Sequence, residues 1–304
     1  MTKKGNKPDL LIISGPTASG KSSLAESLAL SYQLPIISAD SRQVYKGMNI
    51  GTAKPHHEVL STIDYHLIDI LEPNQTYAAG KFNQNVFELL DGELSSLPLV
   101  IIAGGTAFYI QALIEGLADI PDIRPEILSK WNDIWQKKGI QYLQNMLKEQ
   151  DPEYSHWADM ENPHRIIRAL TILDQTGKSI TQFQKGRRLK GSYSYKEFAI
   201  HRERSDLYHR INERVDNMVK EGLIEEVKSL SPYFNYEALN TVGYKEVIQF
   251  FKGEKSKDEA IAKIKQHTRN FAKRQMTWFR KHGNWEWINP GEDKPLHEWI
   301  KTRL

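Results

Sequence analysis

The feature that most constrains this chain is the segment GPTASGKS at 15–22, which fits the phosphate-binding pattern G-x-x-x-x-G-K-S/T at every fixed position. The apolar run DLLIIS at 9–14 predicts a buried strand before it, and SSLAESLALSY predicts a helix after it with Leu24, Ala25 and Leu28 turned inward. Glycines let the backbone bring N–H groups close to an anion, and a helix N-terminus adds partial positive charge there. We therefore expect the loop to bind a diphosphate or triphosphate through Gly15, Pro16, Thr17, Ala18, Ser19, Gly20, Lys21 and Ser22. Lys21 is the predicted phosphate-binding cation, and the Ser22 hydroxyl is the predicted ligand of a Mg²⁺ ion.

The composition excludes several classes of protein. The 304 residues are 39% hydrophobic and 26% charged, which is ordinary for a soluble globular protein with one large or two smaller domains. No apolar run approaches roughly 18 residues, so we expect no membrane span. The absence of cysteine excludes disulfides, thiol nucleophiles and thiolate zinc sites, and it fits a reducing cytoplasm.

Alternating strand and helix signals predict a parallel α/β sheet in the first part of the chain. After the first strand, the predicted strands span 34–40, 64–70 and 98–106, and the predicted helices span 77–90 and 107–115. Asp40 ends one of these strands, at the edge where open parallel sheets bind ligands, although an aspartate there can also cap a turn. The last strand ends in Gly104, Gly105 and Thr106 without the carboxylate that phosphoryl-transferring P-loop proteins use to hold Mg²⁺. This pattern favours a chemistry other than ordinary phosphoryl transfer.

A helical domain is predicted between two parts of this core, at 118–191, with the core at 1–117 and 192–304. Its predicted helices span 125–138, 140–150 and 162–176, with a short piece from Ser179. His164, Arg165 and Arg168 share one side of the third helix. Such a basic face is either solvated or in contact with phosphates.

The C-terminal part returns to the sheet with a strand at 195–201, a helix at 205–221 that Gly222 ends, and a final WEWI strand and polar helix. A capping box at Ser256 begins a long helix to about residue 280. Its basic and aromatic residues either track a nucleic-acid backbone or belong to an ordinary amphipathic helix, and the sequence leaves both open; they are Lys263, Lys265, His267, Arg269, Phe271, Lys273, Arg274, Trp278, Phe279 and Arg280.

Seven segments together resemble the tRNA dimethylallyltransferases, which prenylate an adenosine beside the anticodon. They occur in the family's order and cover most of the chain: GPTASGKS (15–22), ISADSRQVYKGMNIGTAKP (37–55), AGGTAFY (103–109), NPHRIIRAL (162–170), LYHRINERVDNMV (207–219), TVGYKE (241–246) and AKRQMTWFR (272–280). Asn49 stands where the family pattern has Asp, so we assign it no role.

The resemblance implies a P-loop nucleotide-kinase-like parallel sheet with an inserted all-helical domain that contacts tRNA. It also implies that dimethylallyl diphosphate alkylates N6 of adenosine 37 in tRNA, with Mg²⁺ as cofactor and diphosphate as leaving group. Asp40 matches the family's general base, Thr106 lies near the reacting groups, and Arg214 assists the diphosphate. The implied tRNA contacts are Asp40, Ser41, Arg42, Gln43, Thr106, His164, Arg165, Ile166, Ile167, Arg168, Thr241, Val242, Gly243, Tyr244 and Lys245. The implied partners are the tRNA anticodon stem-loop and dimethylallyl diphosphate, with no membrane and no obligate protein partner, in the cytoplasm.

Three alternatives remain open from the residues alone. A P-loop kinase of small molecules or nucleotides would share the 15–22 motif. An adenylate isopentenyltransferase would use free AMP or ADP, whereas the helical insertion and the basic C-terminal helix favour a large RNA acceptor. A nucleic-acid-binding protein without catalysis would leave the P-loop without a purpose.

Overall fold

A computed structural model describes residues 7–183 and 186–304 of the chain. The chain divides into two compact units, one formed by residues 1–114 and 189–304 and the other by residues 115–188. These boundaries lie three residues before those expected from the sequence, at 118 and 191. The chain leaves and re-enters the first unit at one place, because Leu189 N donates to Leu113 O at 2.9 Å and Lys190 N donates to Ile114 O at 3.1 Å.

A parallel sheet of six strands forms the centre of the first unit, as the alternation of strands and helices predicts. Its strand order is β3-β2-β4-β1-β5-β6, with β1 (Asp9–Ser14), β2 (Ile36–Ser38), β3 (Tyr65–His66), β4 (Leu99–Gly104), β5 (Tyr195–Ile200) and β6 (Glu286–Ile288). β1 pairs with β4 on one side and β5 on the other, so the loop after β1 lies at the middle of the sheet's carboxyl edge.

Helices surround this sheet and bury its apolar side chains. They are α1 (Lys21–Tyr32), α2 (His57–Leu60), α3 (Ala79–Asp91), α4 (Ala107–Glu115), α8 (Arg204–Lys220), α9 (Leu223–Ser229), α10 (Tyr244–Phe251), α11 (Lys257–Lys281) and α12 (Lys294–Lys301). Ala25 and Leu28 of α1 are fully buried against the strands, and Leu24 is partly buried, as predicted. The predicted capping box at Ser256 is present, because Ser256 and Glu259 bond each other's backbone N–H groups. Among the described residues, no helix combines the length and apolar character that a membrane span requires.

Among the differences from the sequence-based prediction, two have a backbone cause that the structure shows. The third strand is much shorter than the predicted 64–70, because Leu67 and Asp69 adopt positive φ angles of 63° and 53° that end the extended backbone. Gly222 ends α8 as predicted, but its φ of +102° also starts the unpredicted helix α9, which turns back at once.

The second unit is helical, with α5 (Pro125–Gln150), α6 (Pro152–Trp157) and α7 (Pro163–Thr176). The two predicted helices at 125–138 and 140–150 are confirmed, because Gly139 interrupts α5 with φ 76° and ψ 177°. Trp131 is buried in the core of this unit, where α5 packs on α7. Asn162 caps α7 through its Oδ1 atom, which accepts from His164 N and Arg165 N.

Candidate active site

The loop between β1 and α1 forms a cradle of backbone N–H groups. Gly15 and Gly20 have φ angles of +148° and +99°, and a Cβ on Gly15 would lie 3.3 Å from Ile200 O, so both positions require glycine. No side chain caps the start of α1. The Ser19 Oγ atom is buried and has no hydrogen-bond partner among the described residues. The cradle therefore has donors to offer an anion at a helix N-terminus.

Three side chains from later in the chain hold this loop from outside. Arg210 Nε donates to Ala18 O at 3.0 Å, and Arg202 Nε donates to Ser19 O at 2.7 Å. Thr17 N donates to Gln275 Oε1 at 2.9 Å. With these two carbonyl groups tied to arginines, the loop is fixed by contacts that involve no ligand. One predicted donor, Thr17 N, is thereby occupied by the protein itself.

Two cations, Lys21 and Arg214, lie by the cradle and form no direct contact with a charged partner among the described residues. A Cβ on Gly105 would lie 3.3 Å from Lys21 Nζ, which places this ammonium against the turn that follows β4. Within residues 7–183 and 186–304, the side chains of Lys21 and Arg214 form no hydrogen bond or ion pair. Burial and the neighbouring Arg214 guanidinium lower the pKa of Lys21 to about 8, while Asp40 acts in the opposite direction. Burial likewise lowers the pKa of Arg214, and Asp40 opposes this shift. The predicted residues Lys21, Asp40 and Arg214 are thus brought within electrostatic reach of one another.

Asp40 has one oxygen engaged and one free. Its Oδ1 atom accepts from Arg42 N at 2.9 Å and from Gln43 N at 3.4 Å, so the residue does cap the turn after β2. Its Oδ2 atom has no hydrogen-bond partner in the part of the chain that the structure describes. The capping role therefore leaves one carboxylate oxygen available for chemistry.

Thr106 lies directly beside this turn. Its Oγ1 atom accepts from Ser41 N at 2.9 Å and donates to Ser41 Oγ at 3.3 Å. The approach is possible because Gly104 carries no side chain: a Cβ there would lie 2.1 Å from Ala39 O. This contact gives a physical reason for glycine at the strand end where a carboxylate is absent.

The predicted tRNA-binding segments differ in the solvent exposure of their side chains. In α7, His164, Arg165 and Arg168 are exposed, whereas Ile166 and Ile167 are buried in the core of the helical unit. The basic side chains therefore share the solvent face of α7, as predicted from spacing.

The other two segments are engaged mainly within the protein. Gln43 is buried and bonds Ser38 and the carbonyl groups of residues 52 and 53, while Arg42 donates to the carbonyl groups of residues 237 and 238. Tyr244 is fully buried and donates to Glu226 Oε1 at 2.7 Å. Thr241, Val242 and Lys245 are partly exposed and Gly243 is buried. An RNA contact by any of these residues stays a prediction, and for Tyr244 no side-chain surface is exposed to make it.

The loop after β2 also explains Asn49. Its Oδ1 atom accepts from the buried Lys54 Nζ at 2.9 Å, and the same ammonium pairs with Asp69. Because Asp69 already balances the charge of Lys54, a neutral acceptor is sufficient at position 49. Glu226 holds the same loop by accepting from Asn49 N and Ile50 N.

The long basic helix α11 has both an amphipathic helix's packed side chains and a set of exposed basic ones. Phe279 is buried, and Lys265 and Arg269 bond Asp216 and Asn212 of α8. A second set of its side chains is exposed to solvent, namely Lys263, Phe271, Lys273, Arg274 and Arg280. The helix therefore packs on α8 and still offers a basic outer face.

Residues missed by the sequence analysis act indirectly. They are Arg202, Arg210 and Gln275, to which the sequence patterns assign no role. The signal available for Gln275 was its place in the AKRQMTWFR segment, but nothing in that pattern shows that a helix some 250 residues later reaches the P-loop.

Comparisons with known proteins agree with the resemblance. The family model described as IPP transferase matches residues 43–282. A relative named tRNA dimethylallyltransferase from Christiangramia forsetii is 40% identical over 296 residues, which cover 97% of this chain and 98% of the relative. Another of that name, from Halothermothrix orenii, is 40% identical over 314 residues, covering 99% of this chain and 96% of the relative.

Solved structures agree as well. The full-length tRNA isopentenylpyrophosphate transferase from Bacillus halodurans matches with a TM-score of 0.69 and 33% identity, covering 98% of this chain and 97% of that one. A eukaryotic dimethylallyltransferase described as acting on tRNA matches at 22% identity with a TM-score of 0.79, covering 98% of this chain and 80% of that one, which shows the shared fold. Since the family model spans well over half of the sequence and the relatives match almost all of it, the chain belongs to the IPP transferase family.

Proposed function

We propose that this enzyme transfers a dimethylallyl group from dimethylallyl diphosphate to N6 of adenosine 37, beside the anticodon of tRNA. The observation that carries the proposal is the set of charges at the loop after β1. Among the residues that the structure describes, Lys21 and Arg214 form no hydrogen bond or ion pair, and the Asp40 carboxylate lies within electrostatic reach of both. An anionic leaving group and a proton-accepting base are the two requirements of this alkyl transfer.

The cradle at 15–22 holds the diphosphate of the donor. Backbone N–H groups, the Lys21 ammonium and the Arg214 guanidinium stabilise the charge that grows on the diphosphate as the allylic C–O bond breaks. These donors are fixed before the reaction, because Arg202 and Arg210 already hold the loop. The developing allylic cation needs no covalent enzyme nucleophile.

A Mg²⁺ ion fits the oxygen donors of this site. Ser22 is exposed at the start of α1, where its hydroxyl oxygen would be a ligand of the ion. The described residues contain no cluster of three or more His, Cys, Asp or Glu that could hold a metal by themselves. Mg²⁺ commonly binds through one or two protein oxygens together with substrate phosphates and water. When bound, the ion supplies further charge stabilisation to the leaving diphosphate.

Asp40 removes the proton from N6 as the new bond forms. The exocyclic amine of adenine is a weak nucleophile, because its lone pair is delocalised into the ring. The N6–carbon bond forms, the carbon–oxygen bond of the donor breaks, and the proton passes from N6 to Asp40 Oδ2. The Oδ1 contacts with the turn keep the carboxylate in one orientation, and Thr106 holds the same turn through Ser41.

The acceptor is the anticodon stem-loop of tRNA, and exposed basic side chains bind its phosphates. The exposed His164, Arg165 and Arg168 of α7 and the exposed Lys273 and Arg274 of α11 supply charges for phosphate contacts. We place the enzyme in the cytoplasm and infer that it works without an obligate protein partner.

Labelled dimethylallyl diphosphate provides the deciding test. The purified chain is incubated with Mg²⁺ and either bulk tRNA, AMP or no acceptor, and a parallel sample is supplied with ATP. Label in tRNA at N6 of adenosine 37 is expected. Label in AMP alone would indicate an adenylate isopentenyltransferase, and steady ATP turnover without prenyl transfer would indicate a kinase.

A further inference from the structure

Helix α11 reaches the centre of the candidate site through one buried side chain, Gln275. Only 5% of this residue is exposed. Its Oε1 atom accepts from Thr17 N at 2.9 Å, and its Nε2 atom donates to Gly105 O at 2.7 Å. One amide group therefore ties the loop after β1 to the turn after β4.

Both ends of this bridge border the cradle. Thr17 belongs to the loop at 15–22, and Gly105 lies against the Lys21 ammonium. A Cβ on Gly105 would lie 3.3 Å from Lys21 Nζ and 2.9 Å from Gln275 Nε2, so the three groups share one small space. The amide oxygen and the amide nitrogen of Gln275 each bond the backbone of one of these loops, so the side chain acts directly on both loops.

We propose that Gln275 is a positioning residue of the diphosphate site. It fixes the Thr17 peptide and the Gly105 turn relative to each other, so that the cradle and Lys21 bind the same anion. The inference rests on the proposed function, because it assumes a diphosphate in the cradle. A side-chain amide suits this task, since it accepts and donates at once without charge. A carboxylate could accept from Thr17 N but could not donate to Gly105 O.

The test compares two substitutions of Gln275 with a matched control. Gln275→Met keeps the length and burial of the side chain but removes both hydrogen bonds. Gln144→Met is the control, because Gln144 is also a buried glutamine that donates to a carbonyl oxygen, Met160 O at 2.8 Å, in the helical unit. Binding of inorganic pyrophosphate with Mg²⁺ is measured by titration calorimetry without tRNA, and melting temperatures are measured in parallel. We expect Gln275→Met to weaken pyrophosphate binding by roughly tenfold and Gln144→Met to leave it unchanged.

Gln275→Glu adds a readout that a purely structural role would not move. At pH 8 the ionised carboxylate cannot donate to Gly105 O and repels the anion beside Lys21. As the pH falls toward about 6, burial favours protonation of this carboxyl, while the nearby Lys21 ammonium opposes it; the protonated group can make both contacts again. The affinity of this variant relative to the unsubstituted chain should therefore rise as the pH falls.

The possible results distinguish a failure of this inference from a failure of the proposed function. Normal pyrophosphate binding by Gln275→Met, an equal loss in Gln144→Met, or a pH-independent ratio for Gln275→Glu would overturn the inference alone. If Gln275→Met does not fold, the pH ratio of Gln275→Glu decides. Failure of the unsubstituted chain to bind pyrophosphate would overturn the proposed diphosphate site and this inference together.

Discussion

Raising the pH should weaken binding of the prenyl donor, because the ammonium of Lys21 titrates unusually early. Burial and Arg214 lower the pKa of Lys21 to about 8 in the ligand-free protein. A bound diphosphate stabilises the charged form, so binding favours protonated Lys21 and becomes weaker as that form disappears.

The size of the effect follows from the pKa. With a value of about 8, the charged fraction of Lys21 falls from about nine-tenths at pH 7 to about one-tenth at pH 9. If the diphosphate binds the charged form, the dissociation constant should rise about tenfold across this range.

The assay is calorimetric titration of dimethylallyl diphosphate without tRNA, at constant ionic strength and Mg²⁺ concentration. Lys21→Ala is the control, because any pH dependence from the donor or the metal persists in this variant. A dissociation constant that does not change between pH 7 and pH 9, or an equal change in Lys21→Ala, would refute the reasoning.

The lowered pKa of Lys21 has the opposite effect on the stability of the ligand-free protein, which should increase as the pH rises. The unfolded chain, in which Lys21 has its ordinary pKa, binds more protons than the folded chain between pH 8 and 10.5, so the contribution of Lys21 to stability rises with pH there. Below pH 8 Lys21 is charged in both the folded and the unfolded chain, so burial of its charge lowers the free energy of unfolding by the full amount. Lys21→Ala should accordingly raise the melting temperature of the ligand-free protein at pH 7 while it weakens donor binding.

Further predictions concern the base, the RNA surface and the close approach of two loops. Asp40→Asn keeps the turn cap but cannot take the proton, so kcat should fall by about 10²–10⁴ with a near-normal melting temperature; recovery at high Mg²⁺ concentration would point to a metal-binding role instead. Replacing Arg165 and Arg168 with Ala should weaken tRNA binding, reduce its dependence on salt and spare donor binding, as a filter-binding series over ionic strength can measure. Gly104→Ala should destabilise the fold by about 3 kcal/mol or more, since its Cβ would meet backbone at 2.1 Å, whereas Gly80→Ala in α3 has open space and should be neutral or stabilising in chemical denaturation.

Much of this fold is local in origin and was predictable. The P-loop, the buried strands and the capping box at Ser256 each depend on a few neighbouring residues, and the structure has them where the patterns place them. The shortened third strand was not predictable, because nothing in the sequence requires positive φ angles at Leu67 and Asp69. These angles arise where residues 69–71 bond the backbone of residues 43 and 44, a tertiary contact.

The residues of the candidate site likewise divide into those that sequence motifs predict and those that only the folded structure reveals. Motif patterns pointed to Lys21, Asp40 and Arg214, which carry the charges. The side chains that hold the loops in place, such as Arg202 and Gln275, lie far away in sequence and reach the site only through folding. A periodic pattern can show that Gln275 faces inward, but the backbone groups it bonds belong to other elements.

Paired hydrogen bonds from residues 189 and 190 to Leu113 and Ile114 join the two chain segments that lead into and out of the helical unit. Backbone of the first unit thus holds the two ends of the inserted segment side by side. The entropy of closing such a loop grows only with the logarithm of its length, so each doubling costs about 0.6 kcal/mol. Segments of very different size could therefore be exchanged at this junction at little thermodynamic cost to the core. The architecture allows the helical unit to change by insertion or deletion while the loop after β1 keeps its structure.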